Sequence, residues 1–260
     1  ARARQAARRI IADLGIVDPS EIDVAAIAMS RHLVVREDVA EGAEAWLIPA
    51  RRRGFVRLRS DIPEIGRKRF AAAHELGHWE LHRGLSQLSY CTDGDVHGYK
   101  GSPSEIEASA FAGELLMPTP LFGPRCRARP SLALVKSLAE AFETTLTATA
   151  VRFVEESRET CIAVFSKNGE IAWSRRKDGS DSPWIGPGQR LHVDSIAYDI
   201  SKGDGPSSGM KPVPSEAWFP TVRRGTRLEV YEESIHLGRY PTILTLLHVI
   251  RDDEEPDEDE

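Results

Sequence analysis

The chain has 260 residues, of which 41% are hydrophobic and 28% charged, a composition typical of a soluble globular protein with more than one domain. No apolar run approaches the roughly 20 residues of a membrane-spanning helix, and no apolar signal-peptide core follows the basic residues 1–9. Three widely spaced cysteines argue against a disulfide framework and favour a reducing, cytoplasmic location.

The acidic charge is concentrated at one end of the chain. Residues 252–260 carry eight acidic side chains, so the formal net charge of −6 becomes +2 when they are set aside. We expect residues 251–260 to form a disordered, solvated tail. A body this close to neutrality offers no electrostatic surface for general nucleic-acid binding.

The first sixty residues predict two helices followed by a small antiparallel sheet. Residues 2–15 have an amphipathic pattern, and Pro19 with Ser20 as N-cap is expected to begin the second helix. Three strands are predicted at residues 33–36, 44–48 and 54–58. The last of these could present a free edge, over residues 55–60, to an extended peptide.

Residues 67–83 contain the sequence His74-Glu75-Leu76-Gly77-His78, and the alanines before it favour a helix. Histidines four residues apart lie on one helix face and can reach one divalent ion. The intervening Glu75 is then placed to act as general base on a water molecule, as in zinc peptidases. Two histidines on a helix can also be ordinary core residues, so the motif needs support from the rest of the chain.

That support is a second helix, predicted from Ser104 to Pro118. A catalytic zinc site uses three protein ligands and one open position, and a carboxylate from this helix would complete a set of two histidines and one glutamate. The candidates are Glu105, Glu107 and Glu114. The apolar residues near Glu107 favour that residue, but position alone leaves Glu105 open.

The remaining segments suggest a helical hairpin and a second α+β domain. Residues 84–103 are rich in glycine and read as a loop, and residues 131–157 predict two helices. The hairpin signal Lys167-Asn168-Gly169 joins two strands, residues 202–216 read as a long loop, and residues 228–233 read as a strand. Residues 241–250 are apolar and expected to be buried.

Two blocks of the sequence together resemble the ImmA/IrrE family of metallopeptidases. The first block carries an arginine, a phenylalanine and an alanine before the H-E-x-x-H motif, with a later histidine. The second block has the pattern E-x-E-A, then F-A, then L-L-M-P. The matching residues are Arg69, Phe70, Ala73, His74 to His78 and His82, then Glu105, Glu107, Ala108, Phe111, Ala112 and Leu115 to Pro118. The family usually has asparagine where this chain has Ser109.

The resemblance implies a site and an activity. It implies that His74, His78 and Glu107 bind the metal and that Glu75 is the catalytic base. His82 lies one turn beyond His78 on the same face and could compete as a ligand, but we interpret it as supporting the site or packing nearby. The metal would be Zn²⁺, with Mn²⁺ as a possibility. The activity would be that of a gluzincin-like endopeptidase that cleaves a helix-turn-helix repressor of the XRE type in a stress or mobile-element response. The alternative is a regulatory protein that binds metal and acts by binding protein or DNA without cleavage.

The resemblance also implies a domain plan within the α+β class. A zincin-like metallopeptidase domain would occupy residues 1–125, a helix-turn-helix-like segment 126–158, and a GAF-like sensor domain 159–250. The second helix of the middle segment offers Arg152 beside Glu155 and Glu156, a poor set for contacting phosphates and base edges. We therefore expect that segment to pack as a hairpin rather than to bind DNA.

Overall fold

In the computed structural model, the contacts divide the chain into two compact units. Unit 1 comprises residues 1–125 and 138–148, and unit 2 comprises residues 126–137 and 149–260. The structure describes residues 1–39, 42–50, 52–82, 90–91, 102–180, 182–203, 205, 209–221, 227–238 and 241–252. Most of the predicted loop 84–103 and nearly all of the acidic tail therefore lie outside the described residues. The predicted segment 126–158 is shared between the two units.

Unit 1 consists of helices around a four-stranded sheet. Its helices are α1 (Arg2–Asp13), α2 (Val24–Ser30), α3 (Ile65–Leu81), α4 (Pro103–Leu116) and α5 (Thr119–Phe122), and its strands are β1 (Leu33–Asp38), β2 (Ala45–Pro49), β3 (Gly54–Arg59) and β4 (Tyr90–Cys91). Two further helices, α6 (Leu132–Phe142) and α7 (Leu146–Glu156), each span the division between the units.

The sheet of unit 1 differs from the predicted antiparallel one. Its strand order is β1-β3-β2-β4, and β1 runs parallel to β3 while β2 is antiparallel to it. Because β3 is hydrogen-bonded on both sides along its whole length, it cannot offer a free edge to a peptide. The prediction of a substrate-binding edge at residues 55–60 is therefore wrong.

Helix α3 is the centre of unit 1. An unbroken run of buried residues extends from Ala71 to Trp79, so the helix is covered on all sides, as expected for a core helix. Its first turn lies against another backbone, since a Cβ on Gly66 would come within 2.6 Å of Thr144 and Thr145. This contact shows why residues 138–148 belong to unit 1.

Unit 2 contains a five-stranded antiparallel sheet of order β6-β5-β9-β8-β7. Its elements are β5 (Cys161–Lys167), β6 (Glu170–Arg176), α8 (Ile196–Ser201), β7 (Lys211–Val213), β8 (Arg227–His236) and β9 (Thr242–Asp252). The sheet and α8 enclose an apolar core that includes Trp218, Phe219 and Leu247. The predicted hairpin at Asn168 and Gly169 is confirmed, and both residues have the positive φ that such a turn requires.

The α+β class is thus confirmed, with helices and sheets in both units.

One predicted helix boundary was misplaced. Pro19 begins a short 3₁₀ turn capped by Asp18, and α2 starts only at Val24, where Asp23 accepts hydrogen bonds from two backbone amides. Within the predicted loop 202–216, the short strand β7 is present. Among the described helices, none has the length and apolar character needed to cross a bilayer.

Candidate metal centre

Helix α3 brings its two histidines to one point. Since they are one turn apart, their rings lie on the same face, with centroids 4.8 Å apart. The Nε2 atoms of His74 and His78 are separated by 3.1 Å. Both side chains are almost fully buried, with 2% and 4% of their surfaces exposed. Two ring nitrogens therefore converge in a region that excludes most water.

Helix α4 supplies the carboxylate, and a glycine lets it approach. A Cβ on Gly77 would lie 3.1 Å from the Cα and the carbonyl oxygen of Ala108, so the two helices meet here nearly backbone to backbone. This close crossing places Glu105 against the histidines. Its Oε2 lies 3.0 Å from Nε2 of His74, and its Oε1 lies 3.2 Å from Nε2 of His78.

The structure does not bring Glu107 to the histidine pair, although the resemblance implied that it is the third ligand. The Oε2 of Glu107 instead lies 3.0 Å from Nε2 of His82. The reason is helix rotation: with Ala108 facing α3, Glu105 lies about 60° away to one side and Glu107 about 100° away to the other. The sequence had left Glu105 as an alternative candidate for the third ligand. The rotation of α4 directs Glu107 away from the Nε2 atoms of His74 and His78 and towards His82.

The electrostatics agree with this arrangement. Hydrogen bonds from His74 and then His78 outweigh the effect of burial and hold the pKa of the Glu105 carboxyl far below its ordinary value. A hydrogen bond from His82 likewise lowers the pKa of the Glu107 carboxyl. Both glutamates are thus anionic at neutral pH, but only Glu105 directs its charge at the two Nε2 atoms.

The converging atoms suit a divalent metal ion. In the part of the chain that the structure describes, His74, His78 and Glu105 form a group of three potential metal ligands whose ligand atoms lie within 4.8 Å of one another. Around a tetrahedral zinc ion with bonds of about 2.0–2.1 Å, ligand atoms lie roughly 3.3–3.4 Å apart. The separations here are 3.0–3.2 Å. Two imidazoles and one carboxylate are also the ligand set of a catalytic zinc site with one open position.

Two further polar side chains belong to the same two helices. Glu75 is fully buried on α3, directly after one histidine and three residues before the other. This is the sequence position that the general base occupies in an H-E-x-x-H motif. On the far side of His74, its Nδ1 lies 3.3 Å from the hydroxyl oxygen of Ser109. Ser109 therefore retains a polar contact with the site where the family usually has asparagine.

An ion pair between an exposed arginine of α1 and a buried glutamate of α4 holds α4 in place. The carboxylate of Glu114 is fully buried and lies 2.8 Å from the guanidinium of Arg8 on α1. It also accepts a hydrogen bond from the backbone amide of Thr119. Glu114, the third glutamate considered as a ligand, thus anchors α4 to α1 and does not join the histidines.

Comparison with known proteins agrees with the resemblance drawn from the sequence. No protein of curated function matches the sequence significantly. One similar solved structure is a transcriptional regulator of Mycobacterium tuberculosis, 15% identical, with a TM-score of 0.59 over 95% of this chain and 74% of that one. At this identity the likeness concerns the fold alone. Residues 31–154 match the profile of the IrrE N-terminal-like domain of the M78 peptidases, a stretch that contains both helices of the centre. Residues 31–154 therefore form an IrrE N-terminal-like domain, in agreement with the resemblance to the ImmA/IrrE family.

Proposed function

We propose that the protein is a metal-dependent endopeptidase whose ligands are His74, His78 and Glu105, with Glu75 as general base. The observation that carries the proposal is the convergence of two buried Nε2 atoms and one carboxylate within 3.0–3.2 Å of one another, with the fully buried Glu75 next to His74 in the sequence. The match of residues 31–154 to the IrrE N-terminal-like domain supports the same activity. The proposed site is of the gluzincin-like kind expected from the sequence, with Glu105 in place of Glu107 as the third ligand.

The chemistry then divides between the metal and the chain. When bound, Zn²⁺ (or Mn²⁺) would polarise the scissile carbonyl and lower the pKa of a water molecule. The Glu75 carboxylate takes the proton from the attacking water and passes it to the amine that leaves. Burial of the two histidines and of Glu75 strengthens these electrostatic interactions, because little solvent is present to screen them.

We further propose that the substrate is a helix-turn-helix repressor of the XRE type, cut at one bond to relieve repression in a stress or mobile-element response. The support is the family resemblance. The similar fold of a protein described as a transcriptional regulator is compatible with a role in transcription. The GAF-like character of residues 159–250 belongs to the same proposal, as the part that would receive a signal.

The alternative is regulation by binding alone, either to a protein or to DNA. The structure offers little for DNA in α7, because the guanidinium of Arg152 is 4% exposed and lies 3.0 Å from Glu155 and 3.2 Å from Glu156. A guanidinium engaged in this way is poorly placed to contact phosphate. We therefore favour cleavage over binding to DNA.

The test compares wild type with Glu75→Gln, a change that keeps all three proposed ligands. In cells that make either form, new protein N-termini are identified by mass spectrometry, and purified repressor is incubated with each zinc-loaded form. We expect one new N-terminus within an XRE-type repressor, present only with wild type, while both forms bind the same amount of zinc. Identical N-termini in the two samples would refute proteolysis, and retained repressor binding without cleavage would establish the alternative.

A further inference from the structure

The second nitrogen of His78 has an unusual partner. Its Nε2 faces the other ligands, and its Nδ1 lies 3.1 Å from Nδ1 of His82, which follows one turn later. The Nε2 of His82 in turn lies 3.0 Å from Oε2 of Glu107. The three side chains form a continuous hydrogen-bonded chain that leads from the metal centre outwards. The exposed fraction rises along it, from 4% for His78 to 10% for His82 and 40% for Glu107.

Only one distribution of protons satisfies this chain when His78 is a ligand. A neutral imidazole that offers Nε2 to a metal carries its proton on Nδ1, and this N–H must be the donor to His82. The Nδ1 of His82 is then an acceptor, so its proton sits on Nε2. That N–H points at the Glu107 carboxylate, which has no proton and only accepts. Every donor along the chain thus meets an acceptor.

We propose that His82 and Glu107 form a positioning pair that fixes the tautomer and orientation of the His78 ring and increases its strength as a ligand. This rests on the metal site of the proposed function. The carboxylate polarises the imidazole of His82, and His82 polarises the N–H of His78. Ligand histidines are commonly oriented by a carboxylate that contacts them directly. Here the imidazole of His82 lies between the carboxylate of Glu107 and the ligand His78.

The pair also distinguishes the two ligand histidines. Among the described residues, the group that contacts Nδ1 of the other histidine, His74, is a neutral hydroxyl, that of Ser109 at a distance of 3.3 Å. A hydrogen-bonded chain that ends in a charge holds its members more strongly than a single long contact between neutral groups. We therefore infer that His78 is the more rigidly held of the two ligands, and that Glu107 acts on the metal only through His82.

This indirect action predicts a particular pattern of metal affinities. Loss of such a supporting group typically costs 10- to 100-fold in metal affinity. Zn²⁺ affinity of the full chain is measured by competition with a chromophoric chelator. We expect Glu107→Gln and His82→Phe each to weaken binding by about 10- to 100-fold. In the His82→Phe background, Glu107→Gln should cost nothing more, because its only route to the metal has been removed.

The matched control is Glu159→Gln. Glu159 makes the same type of contact with a histidine, 3.1 Å from Nε2 of His248, but in unit 2. It should leave Zn²⁺ affinity unchanged. Because His82→Phe could disturb packing, nitrogen NMR of ¹⁵N-histidine-labelled protein gives a second measurement: wild-type His82 should carry its proton on Nε2, and Glu107→Gln should weaken that preference without unfolding the protein.

The outcomes separate the positioning pair from the site itself. If Glu107→Gln has no effect, or costs as much with His82→Phe as without it, the pair is refuted, and the second result would make Glu107 a direct ligand. A His82 protonated on Nδ1 would refute it as well. If instead wild type fails to bind Zn²⁺, or Glu105→Gln binds as tightly as wild type, the failure belongs to the proposed function.

Discussion

The close crossing of α3 and α4 leads to a quantitative prediction for Gly77→Ala. The added Cβ would lie 3.1 Å from three atoms, two of them in the backbone of Ala108 and one in the ring of Phe111. Carbon atoms prefer about 3.5–4.0 Å, and backbone atoms cannot rotate away. Overpacking of this kind costs about 1–3 kcal/mol, whereas alanine gains about 1 kcal/mol over glycine within a helix.

Gly113→Ala provides the matched control, because Gly113 lies within α4 and its added Cβ would meet no atom of the described residues within 4 Å. Both substitutions gain the same helix propensity, so their difference isolates the packing. We expect Gly113→Ala to raise the free energy of unfolding by up to about 1 kcal/mol. Gly77→Ala should be about 1–3 kcal/mol less stable than that variant. Urea unfolding of the metal-free proteins measures both values.

The same crossing sets the metal centre, so zinc affinity gives a second comparison. If α4 moves a few tenths of an ångström to accommodate the methyl group, Glu105 moves with it and the ligand geometry is lost. We expect weaker Zn²⁺ binding by Gly77→Ala and unchanged binding by Gly113→Ala. Equal stability and equal zinc affinity in the two variants would refute the claim that the helix crossing positions the carboxylate.

Three further predictions concern other parts of the chain. Gly66→Ala should destabilise unit 1 more than Gly77→Ala does, because its Cβ would come within 2.6 Å of the backbone of Thr144; urea unfolding tests this. Glu232→Gln should destabilise unit 2 by about 1–3 kcal/mol. The buried carboxylate accepts hydrogen bonds from two backbone amides and an indole N–H, and the NH₂ group of glutamine would face one or more of these donors with a donor of its own. Burial raises the pKa of Glu232 in the folded protein. The contribution of Glu232 to the free energy of unfolding is therefore complete below the ordinary pKa of a glutamate and declines as pH rises through the raised value. Unfolding experiments should show a smaller effect of Glu232→Gln at pH 8 than at pH 5. Burial also raises the pKa values of Cys126 and Cys161 to about 12, so mass spectrometry after iodoacetamide treatment at pH 8 should find both thiols unmodified until the protein unfolds.

The elements of the site were predictable because their signals are local. The H-E-x-x-H spacing requires one helix turn between the histidines, and the structure has that turn within α3. The second helix was bounded correctly by Ser104 and Pro118 to within about two residues, a normal uncertainty for helix ends. Gly77, within the same motif, is the point at which the backbone of α4 approaches α3.

The choice between Glu105 and Glu107 depends on information that neither helix contains alone. Both are anionic, both lie in the first turns of α4, and they differ in direction by about 160° around the axis. Which one meets the histidines is decided by the rotation of α4 on α3, and that rotation is set by the contact between Gly77 and Ala108. A resemblance in sequence carries over residue types and spacing, but it does not carry over this rotation.

The pairing of β3 could not be inferred for a similar reason. Its alternating pattern reports that one face is buried and one exposed, as the burial along the strand shows. The pattern does not show whether a strand pairs with one neighbouring strand or with two, because the backbone hydrogen bonds of pairing do not change the alternation of polar and apolar side chains. The strand between β1 and β2 in space is the one that follows both in the chain.

The contact between Gly66 and residues 144–145 has a practical consequence for dissecting the protein. A fragment that stops at Arg125, where the sequence would place a domain end, lacks the turn against which α3 begins. It also lacks the carboxylate of Glu143 that lies 3.1 Å from Arg69. A shortened version intended for crystallisation or enzymology should therefore retain the polypeptide through at least residue 148. A fragment that ends earlier would expose the N-terminal turn of α3 to solvent.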